Sequence, residues 1–316
     1  MTVKKEGDFA ITRESLYGTE NEPTYAGITS FMRRKYTRDL TGVDLVVTGV
    51  PLDSATTNRP GTRLGPRAIR VASTIISWMR PYNTVMDPFD KLAVVDYGDC
   101  FFDFGRPETI SDSIEAHATS IINRGPALLS LGGDHFVAWP LLKAHAKRHG
   151  KPLSLLHFDA HSDTWEDEEG RNDHGTMFWH AVKEGLIDPA SSVQIGLRTN
   201  NEDALGFNIL DAPWVHENGI RAVIDKTLEI LGDRPVYLSF DIDCLDPSYA
   251  PGTGTPVCGG LTSHQAIAIL RGLIGINLIG MDLVEVAPAY DSGEITALAA
   301  ATLAMEIINI YANRPE

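Results

Sequence analysis

Three separate stretches of the chain end an apolar, strand-like run in side chains that can bind metal. They are residues 155–165 (LLHFDAHSDTW), 236–246 (VYLSFDIDCLD) and 129–135 (LSLGGDH). The first stretch carries Asp159, His161 and Asp163, the second Asp241 and Asp243, and the third His135. In the first two stretches these residues stand two apart, so an extended backbone would project them from one face. This arrangement suits a metal site at strand ends better than a core.

A single aspartate or histidine at a strand end is usually a cap or a turn residue. Asp134 is interpreted in this way, as a turn residue or the N-cap of the following helix. The cluster is different, because carboxylates brought together repel one another and desolvation of each unpaired charge costs several kcal/mol. Either their pKa values rise until some are neutral, or cations hold them together. Since the three stretches contain no lysine or arginine, the pattern favours a pair of divalent ions.

The composition indicates a soluble cytoplasmic protein. The 316 residues carry a net charge of −15, which argues against nucleic acid and anionic membranes and is compatible with a cationic substrate. Residues 1–10 lack the apolar segment of a secretory signal, and we expect no apolar run of the ~18 residues that a membrane span needs. Three cysteines without a CxxC spacing fit a reducing compartment: Cys100, Cys244 and Cys258.

Apolar, strand-like runs alternate with helical patterns along the chain. Strands are predicted at residues 44–50, 92–96, 127–131, 154–159, 192–197, 235–241 and 278–286. Helices are predicted at residues 66–79, 111–123, 136–149, 174–185, 220–231, 262–273 and 294–312. This alternation predicts an α/β fold, a single-domain three-layer αβα sandwich with a mostly parallel central sheet. In such sheets ligands gather at the carboxyl ends of the strands. We assign residues 41–316 to this domain and residues 1–40 to an N-terminal arm.

Four longer motifs carry a resemblance to a known family. They are residues 132–135 (GGDH), 157–165 (HFDAHSDTW), 239–262 (SFDIDCLDPSYAPGTGTPVCGGLT) and 282–291 (DLVEVAPAYD). Together they resemble the ureohydrolase family, which includes arginase, agmatinase, guanidinobutyrase and formiminoglutamase. The similarity runs from about residue 44 to the C-terminus and is greatest to the bacterial agmatinase branch. The resemblance implies an arginase-like fold.

The resemblance also implies two Mn²⁺ ions in each subunit. By residue-to-residue match, one ion would be held by His135, Asp159, Asp163 and Asp241. The other would be held by Asp159, His161, Asp241 and Asp243, so that Asp159 and Asp241 bridge the two. Independent chemistry favours the same metal, because oxygen-rich ligation with two imidazoles and no thiolate suits Mn²⁺ better than Zn²⁺. Mg²⁺ and Co²⁺ are the alternatives.

The implied reaction is hydrolysis of a guanidinium group, which neutral water attacks poorly. Two ions about 3.5–4 Å apart would bind a bridging hydroxide, and Asp163 would orient it by hydrogen bonding. Glu285 resembles the family glutamate that pairs with the guanidinium. His174 resembles the histidine that passes a proton to the leaving amine, and a position at the start of a helix would lower its pKa. The alternative for His174 is a structural role at the helix start. For His157 we weigh support of the metal ligands against a role in the core.

The substrate is expected to be a cationic guanidino compound. Residues 164–173 (TWEDEEGRND) are strongly acidic and would suit the terminal ammonium of agmatine, so cleavage to putrescine and urea is the first hypothesis. A solvated acidic loop is the alternative reading of that segment. A guanidino acid such as 4-guanidinobutyrate is the second substrate hypothesis, and an inactive metal-binding scaffold subunit is the third possibility. The resemblance further implies a homo-oligomer, a trimer or a hexamer.

Overall fold

A parallel sheet forms the centre of the computed structural model, which describes residues 7–77, 80–82, 84, 86–150, 152–166 and 172–315. Its strands in this described part are β1 (Lys35–Tyr36), β2 (Leu45–Val50), β3 (Val94–Asp99), β4 (Ala127–Gly132), β5 (Ser154–Phe158), β6 (Val193–Ile195), β7 (Asn208–Leu210), β8 (Val236–Asp241) and β9 (Leu278–Val284). They are ordered β1-β3-β2-β4-β9-β8-β5-β6-β7 across the sheet. Neighbouring strands run parallel throughout this order.

Helices cover both faces of the sheet. They are α1 (Phe9–Thr12), α2 (Gly65–Ser73), α3 (Pro88–Lys91), α4 (Ile110–Ile122), α5 (Ala138–His149), α6 (Met177–Lys183), α7 (Ala212–Leu231), α8 (Ser263–Gly272) and α9 (Ile295–Ala312). Successive residues of β2 enter different apolar cores. Leu45 and Val47 pack with residues of α2, α7, α8 and α9, whereas Val46 packs with residues of α4, α5 and α6. Two cores on opposite faces confirm the predicted three-layer α/β fold.

Local sequence patterns fail where an element is short or where side chains compete with the backbone. β1 and β7 are not predicted, because two or three residues give no recognisable period. α7 begins at residue 212 rather than 220, with a break at Gly219 (φ 78°). α2 ends at Ser73 rather than at residue 79, since the Ser73 and Thr74 hydroxyls donate to carbonyls of their own helix. Residues 78 and 79 lie outside the described part.

The described part of the N-terminal arm packs on the α/β domain. Phe31 and Met32, in the 3-10 helix Phe31–Arg33, are fully buried. The Phe31 N–H donates to Asp96 on β3 at 2.7 Å, and β1 extends the sheet beyond β3. The arm is therefore tied to the sheet by a hydrogen bond and a strand pairing. The domain boundary at residue 40 stays a prediction.

The closing helix α9 is apolar around its circumference. By length and composition alone, its 18 residues could cross a membrane, so the expectation that no run reaches this length is wrong. Most of the helix is buried inside the fold, where it contacts α2 and α8. Its buried Glu306 pairs with Arg271 of α8 at 2.5 Å. A helix that packs on several sides inside a large domain is apolar all round for that reason.

Candidate metal centre and catalytic pocket

The central strands β4, β9, β8 and β5 are neighbours in the sheet, and the predicted site residues lie at their carboxyl ends. His135 follows β4, Glu285 follows β9, Asp241 ends β8, and Asp159 follows β5. The turn after β4 depends on Gly133, because a Cβ on this residue would lie 2.0 Å from the carbonyl oxygen of Leu52. A residue without a side chain is what allows the two backbones to approach so closely.

The Nδ1 atom of His135 is surrounded by carboxylate oxygens. It lies 3.1 Å from Asp159 Oδ2, 2.9 Å from Asp163 Oδ2 and 3.2 Å from Asp241 Oδ2. All four side chains are buried. The structure thus brings together the four residues that the resemblance implied as ligands of one ion.

A second group of ligand atoms adjoins the first. His161 Nδ1 lies 3.2 Å from Asp159 Oδ1 and 3.2 Å from Asp243 Oδ2. Asp159 therefore presents one oxygen to each group, as expected of a bridging ligand. Asp241 is tied to the second group through the Asp243 N–H, which donates to Asp241 Oδ1 at 2.8 Å. Bridging by Asp241 itself stays a prediction.

Hydrogen bonds on its far side fix the orientation of His135. Asp282 accepts at Oδ1 from the Ser239 hydroxyl and at Oδ2 from the Tyr237 hydroxyl, both at 2.6 Å. Because the Ser239 proton is directed to Asp282, its oxygen is left to accept from His135 Nε2–H, which lies 2.7 Å away. This assigns the proton of the neutral ring to Nε2 and directs the Nδ1 lone pair at the three carboxylates, as a metal ligand requires.

A similar contact supports Asp159. The Gln194 amide donates to His157 Nδ1 at 3.0 Å and to the Ser162 carbonyl at 2.7 Å. His157 Nδ1 is therefore an acceptor, and Nε2–H donates to Asp159 Oδ2 at 2.8 Å. His157 is close enough to the first group to be a potential ligand, but this geometry favours support of the Asp159 carboxylate.

The electrostatics of these side chains explain why the cluster suits cations. Burial lowers the pKa of His161, but Asp243 and Asp159 raise it to about 12. Burial and the neighbouring Asp159 raise the pKa of Asp163 to about 7. Burial, followed by Asp243, holds the pKa of Asp241 well above its usual range. The converging carboxylates thus favour positive charge at their centre, which protons or divalent cations can supply.

The donor set also fits the predicted metal. It combines aspartate oxygens with two imidazole nitrogens, and the buried Nδ1 atom of His135 has no hydrogen-bond partner among the residues that the structure describes. Oxygen-rich ligation of this kind suits Mn²⁺. The free thiol of Cys244 is buried, and it lies 3.5 Å from the Ile195 carbonyl, which agrees with a packing role.

Glu285 links the ligand cluster to His174. Its Oε1 atom accepts from the backbone N–H of His135 at 2.8 Å and lies 2.8 Å from Nδ1 of His174. Its Oε2 atom is buried and has no hydrogen-bond partner among the described residues. One carboxylate oxygen is therefore anchored by the protein, while the other can accept from a ligand.

The pKa of His174 is raised, whereas a position at the start of a helix was expected to lower it. His174 lies in a turn three residues before α6 begins at Met177. Burial lowers its pKa, but the hydrogen bond to Glu285 and the charges of Glu285, Asp163 and Asp134 raise it to about 9. The expectation was wrong because carboxylates contributed by other parts of the chain outweigh the helix terminus.

A cavity of about 410 Å³ opens over the cluster. It is lined by Thr57, His161, Asp163, Trp165, Glu166, Asp173, His174, Gly175, Thr176, Asp241 and Thr255. Beyond the ligand cluster, Glu166 and Asp173 add negative charge, which suits a cationic ligand. They come from the two ends of the predicted acidic segment, whose residues 167–171 lie outside the described part.

Two predicted site residues adopt strained backbone conformations. Asp163 has φ 52° and Glu285 has φ 65°, in the left-handed region. This region costs a residue with a side chain roughly 1–3 kcal/mol and is found preferentially at functional sites. In these conformations the Asp163 carboxylate contacts His135, and the Glu285 carboxylate lies between His135 and His174.

The structure adds site residues that the sequence patterns do not identify. They are Thr57, Gln194, Ser239 and Asp282. Ser239 stands two residues before Asp241 on β8 and so shares its face, a signal that could have been used. Gln194 and Asp282 carry no local signal, because they reach the site only through the pairing of β6 with β5 and of β9 with β8.

Comparisons with known proteins agree with this geometry. The profile of the Arginase family matches residues 43–309. The chain is 58% identical over 309 residues to an agmatinase of Chromobacterium violaceum, covering 98% of this chain and 96% of that protein. It is 55% identical over 272 residues to an agmatinase of Citrobacter koseri, covering 85% of this chain and 88% of the relative.

Solved structures give the same result. A hypothetical agmatinase from Burkholderia thailandensis superposes with a TM-score of 0.95 at 60% identity, covering 97% of this chain and 98% of that one. The proclavaminate amidino hydrolase of Streptomyces clavuligerus superposes with a TM-score of 0.88 at 40% identity, covering 92% and 99%. Arginase from Bacillus cereus is more distant, with a TM-score of 0.72 at 28% identity and coverage of 84% and 98%.

Proposed function

Because this chain belongs to the arginase family, we propose that it hydrolyses agmatine to putrescine and urea at a centre of two Mn²⁺ ions. It is an agmatinase-like hydrolase, which sets aside the inactive-scaffold hypothesis. The observation that carries the proposal is the convergence of buried ligand atoms, in which the Nδ1 lone pair of His135 is directed at three carboxylates within 3.2 Å.

The ligand assignment is part of this proposal. His135, Asp159, Asp163 and Asp241 would hold one ion, and Asp159, His161, Asp241 and Asp243 the other. When bound, two such cations supply Lewis-acid activation of water at neutral pH. The chain's own contribution is to bury the donors, fix the His135 tautomer through Ser239 and hold each carboxylate in place.

Glu285 is proposed to orient the guanidinium. Its Oε1 atom is held by two hydrogen-bonding contacts, whereas Oε2 has no partner among the described residues. A guanidinium presents forked N–H donors, so its binding would satisfy this buried oxygen and neutralise the charge. Asp163, which lines the same cavity, would orient the attacking water by hydrogen bonding, and His174 would supply a proton to the leaving amine.

The far end of the substrate is proposed to lie near Trp165, Glu166 and Asp173. The two carboxylates favour the terminal ammonium of agmatine over a carboxylate at the same position. The second candidate is hydrolysis of another guanidino compound, such as 4-guanidinobutyrate. It is supported by the 40% identity to an amidino hydrolase named for a different compound, proclavaminate.

Urea release from a panel of guanidino compounds tests the proposal. The metal-stripped protein would be assayed with and without added Mn²⁺ on agmatine, 4-guanidinobutyrate and arginine. We expect Mn²⁺-dependent urea from agmatine. Urea from 4-guanidinobutyrate alone would establish the second candidate, and activity independent of Mn²⁺ would overturn the metal assignment.

Assembly and location complete the proposal. We infer a homo-oligomer, either a trimer or a hexamer, because the resemblance to the family implies one. We infer a cytoplasmic location because three cysteines without a CxxC spacing fit a reducing compartment. Light scattering coupled to size-exclusion chromatography would measure the mass. A monodisperse monomer would contradict this part of the proposal.

A further inference from the structure

Both ring nitrogens of His174 are engaged by the protein. Nδ1 lies 2.8 Å from Glu285 Oε1. Nε2 lies 3.0 Å from the backbone nitrogen of Thr57 and 2.7 Å from its hydroxyl oxygen. Only 8% of His174 is exposed. A proton that moves between His174 and a ligand in the cavity therefore has to pass through one of these two neighbours.

The contact with the Thr57 backbone assigns the tautomer of the neutral ring. An amide N–H can only donate, so Nε2 must accept through its lone pair. The proton of the neutral ring is therefore on Nδ1, where it is donated to Glu285. If the ring gains a second proton, that proton is on Nε2. Of the two Thr57 groups, only the hydroxyl oxygen can accept a hydrogen bond from it.

Thr57 and His174 both line the cavity, and Thr57 is the more exposed of the two. Because Nε2 of His174 is engaged by Thr57, the Thr57 hydroxyl is the group next to this nitrogen that can also contact a ligand. The loop that carries Thr57 is held in place by two hydrogen bonds of the Ala55 backbone. The Ala55 N–H donates to Asp134 at 2.9 Å, and the Ala55 carbonyl accepts from the His174 N–H at 3.2 Å. The loop and the turn that carries His174 are thus fixed to each other.

We propose that Thr57 is the proton-transferring residue between His174 and the leaving amine. This inference rests on the proposed hydrolysis. As the C–N bond breaks, the leaving nitrogen takes its electron pair and receives the hydroxyl proton of Thr57. The same hydroxyl oxygen receives the proton from Nε2 of His174. The proton on Nε2 is the one that the attacking water lost earlier in the same cycle, passed inward through the same Thr57 hydroxyl. Thr57 is therefore regenerated, His174 returns to its neutral form, and the amine is released carrying that proton.

The groups around His174 favour opposite protonation states of its ring. The charges of Glu285, Asp163 and Asp134 favour the protonated form of the ring. The N–H of Thr57 acts in the opposite direction, because it is satisfied only by an unprotonated Nε2. A ring held between these influences can both take up a proton and release it.

Kinetics of two Thr57 variants test the proposal. Thr57→Val removes the hydroxyl but keeps the backbone N–H, and we expect kcat to fall about 10²-fold with little change in KM. Thr57→Ser keeps the hydroxyl and should retain most of the activity. Thr56→Val is the matched control, since the Thr56 hydroxyl on the same loop donates to the Asp53 carbonyl. We expect it to change kcat by about twofold at most.

The dependence on the leaving group separates proton transfer from a structural role. An oxyguanidine analogue of agmatine has a less basic leaving amine, which needs less protonation when it departs. The loss in Thr57→Val should therefore be much smaller on this analogue than on agmatine. An equal loss on both substrates, or no loss on agmatine, would overturn the role of Thr57.

An activity-independent measurement distinguishes failure of this inference from failure of the proposed function. If the wild type releases no urea from any compound of the panel, the proposed function has failed. The hydrogen bonding can still be measured by NMR of protein labelled with ¹⁵N-histidine, with His174→Gln to assign the signal. Above the raised pKa of His174, which is about 9, we expect the Nδ1–H tautomer, and a neutral ring protonated on Nε2 would refute the proposed relay.

Discussion

Replacement of Ser239 by alanine tests the link between the buried hydrogen-bond network and metal affinity. The Ser239 oxygen is 2.7 Å from His135 Nε2, and its hydroxyl donates to Asp282 at 2.6 Å. Ser239→Ala leaves the His135 Nε2–H unpaired in the core. Without the Ser239 oxygen, the tautomer of His135 that directs the Nδ1 lone pair at the carboxylates is no longer fixed. Loss of a partner that orients a ligand typically weakens metal binding about 10–100-fold. This corresponds to about 1.4–2.8 kcal/mol of binding free energy.

The chain offers a matched control on the other side of β9. Ser130 on β4 is paired in register with Asp282, as Ser239 on β8 is. It is also buried, but its hydroxyl has no hydrogen-bond partner among the described residues. Ser130→Ala therefore removes the same atom from the same layer of the sheet without affecting His135. We expect it to bind Mn²⁺ as the wild type does.

The assay is a titration of metal-stripped protein with Mn²⁺ in competition with a fluorescent chelator. Thermal unfolding in excess chelator, recorded in parallel, reports the cost to the fold, for which an unpaired buried N–H predicts about 1–3 kcal/mol. Wild-type Mn²⁺ affinity in Ser239→Ala would refute the reasoning. An equal loss in Ser130→Ala would also refute it, because the effect would then belong to packing of the layer.

Three further predictions follow from the same geometry. Mn²⁺ affinity should rise with pH, because the cations displace protons that His161 and Asp163 hold below pKa values of about 12 and 7. Calorimetry in buffers of different ionisation enthalpy should show proton release on Mn²⁺ binding, and its absence would contradict the electrostatic account. Glu285→Gln should lower kcat/KM about 10–100-fold, because one charge-assisted contact with the substrate is lost. Its Mn²⁺ content by elemental analysis should not change, and loss of metal would mean that Glu285 acts on the metal ligands instead. Gly133→Ala should lower the free energy of unfolding in urea by about 1–3 kcal/mol or more, since its Cβ would lie 2.0 Å from the Leu52 carbonyl oxygen. An unchanged free energy of unfolding would show that the close approach of the two backbones is dispensable.

The sequence alone predicts the layers of the fold and the residues of the ligand cluster. Long apolar runs such as those of β4 and β8 are visible locally, because a parallel sheet covered on both faces needs apolar side chains at successive positions. Asp159 and His161 are equally visible, since ligand-type residues that alternate at a strand end have few structural explanations. The resemblance adds the roles of His174 and Glu285, which local pattern does not supply.

Tertiary structure alone decides which atoms of those residues face each other. Thr57 and His174 lie 117 positions apart, and Ser239 meets Asp282 only because β8 pairs with β9 in one register. These contacts assign the neutral-ring tautomers of His135 and His174, and one oxygen of Glu285 has no hydrogen-bond partner in the described part of the chain. Such choices depend on hydrogen bonds between distant segments, whose partners are set by strand order and loop path. The sequence therefore determines which side chains gather at this edge of the sheet, while the fold determines the direction in which each proton and lone pair points.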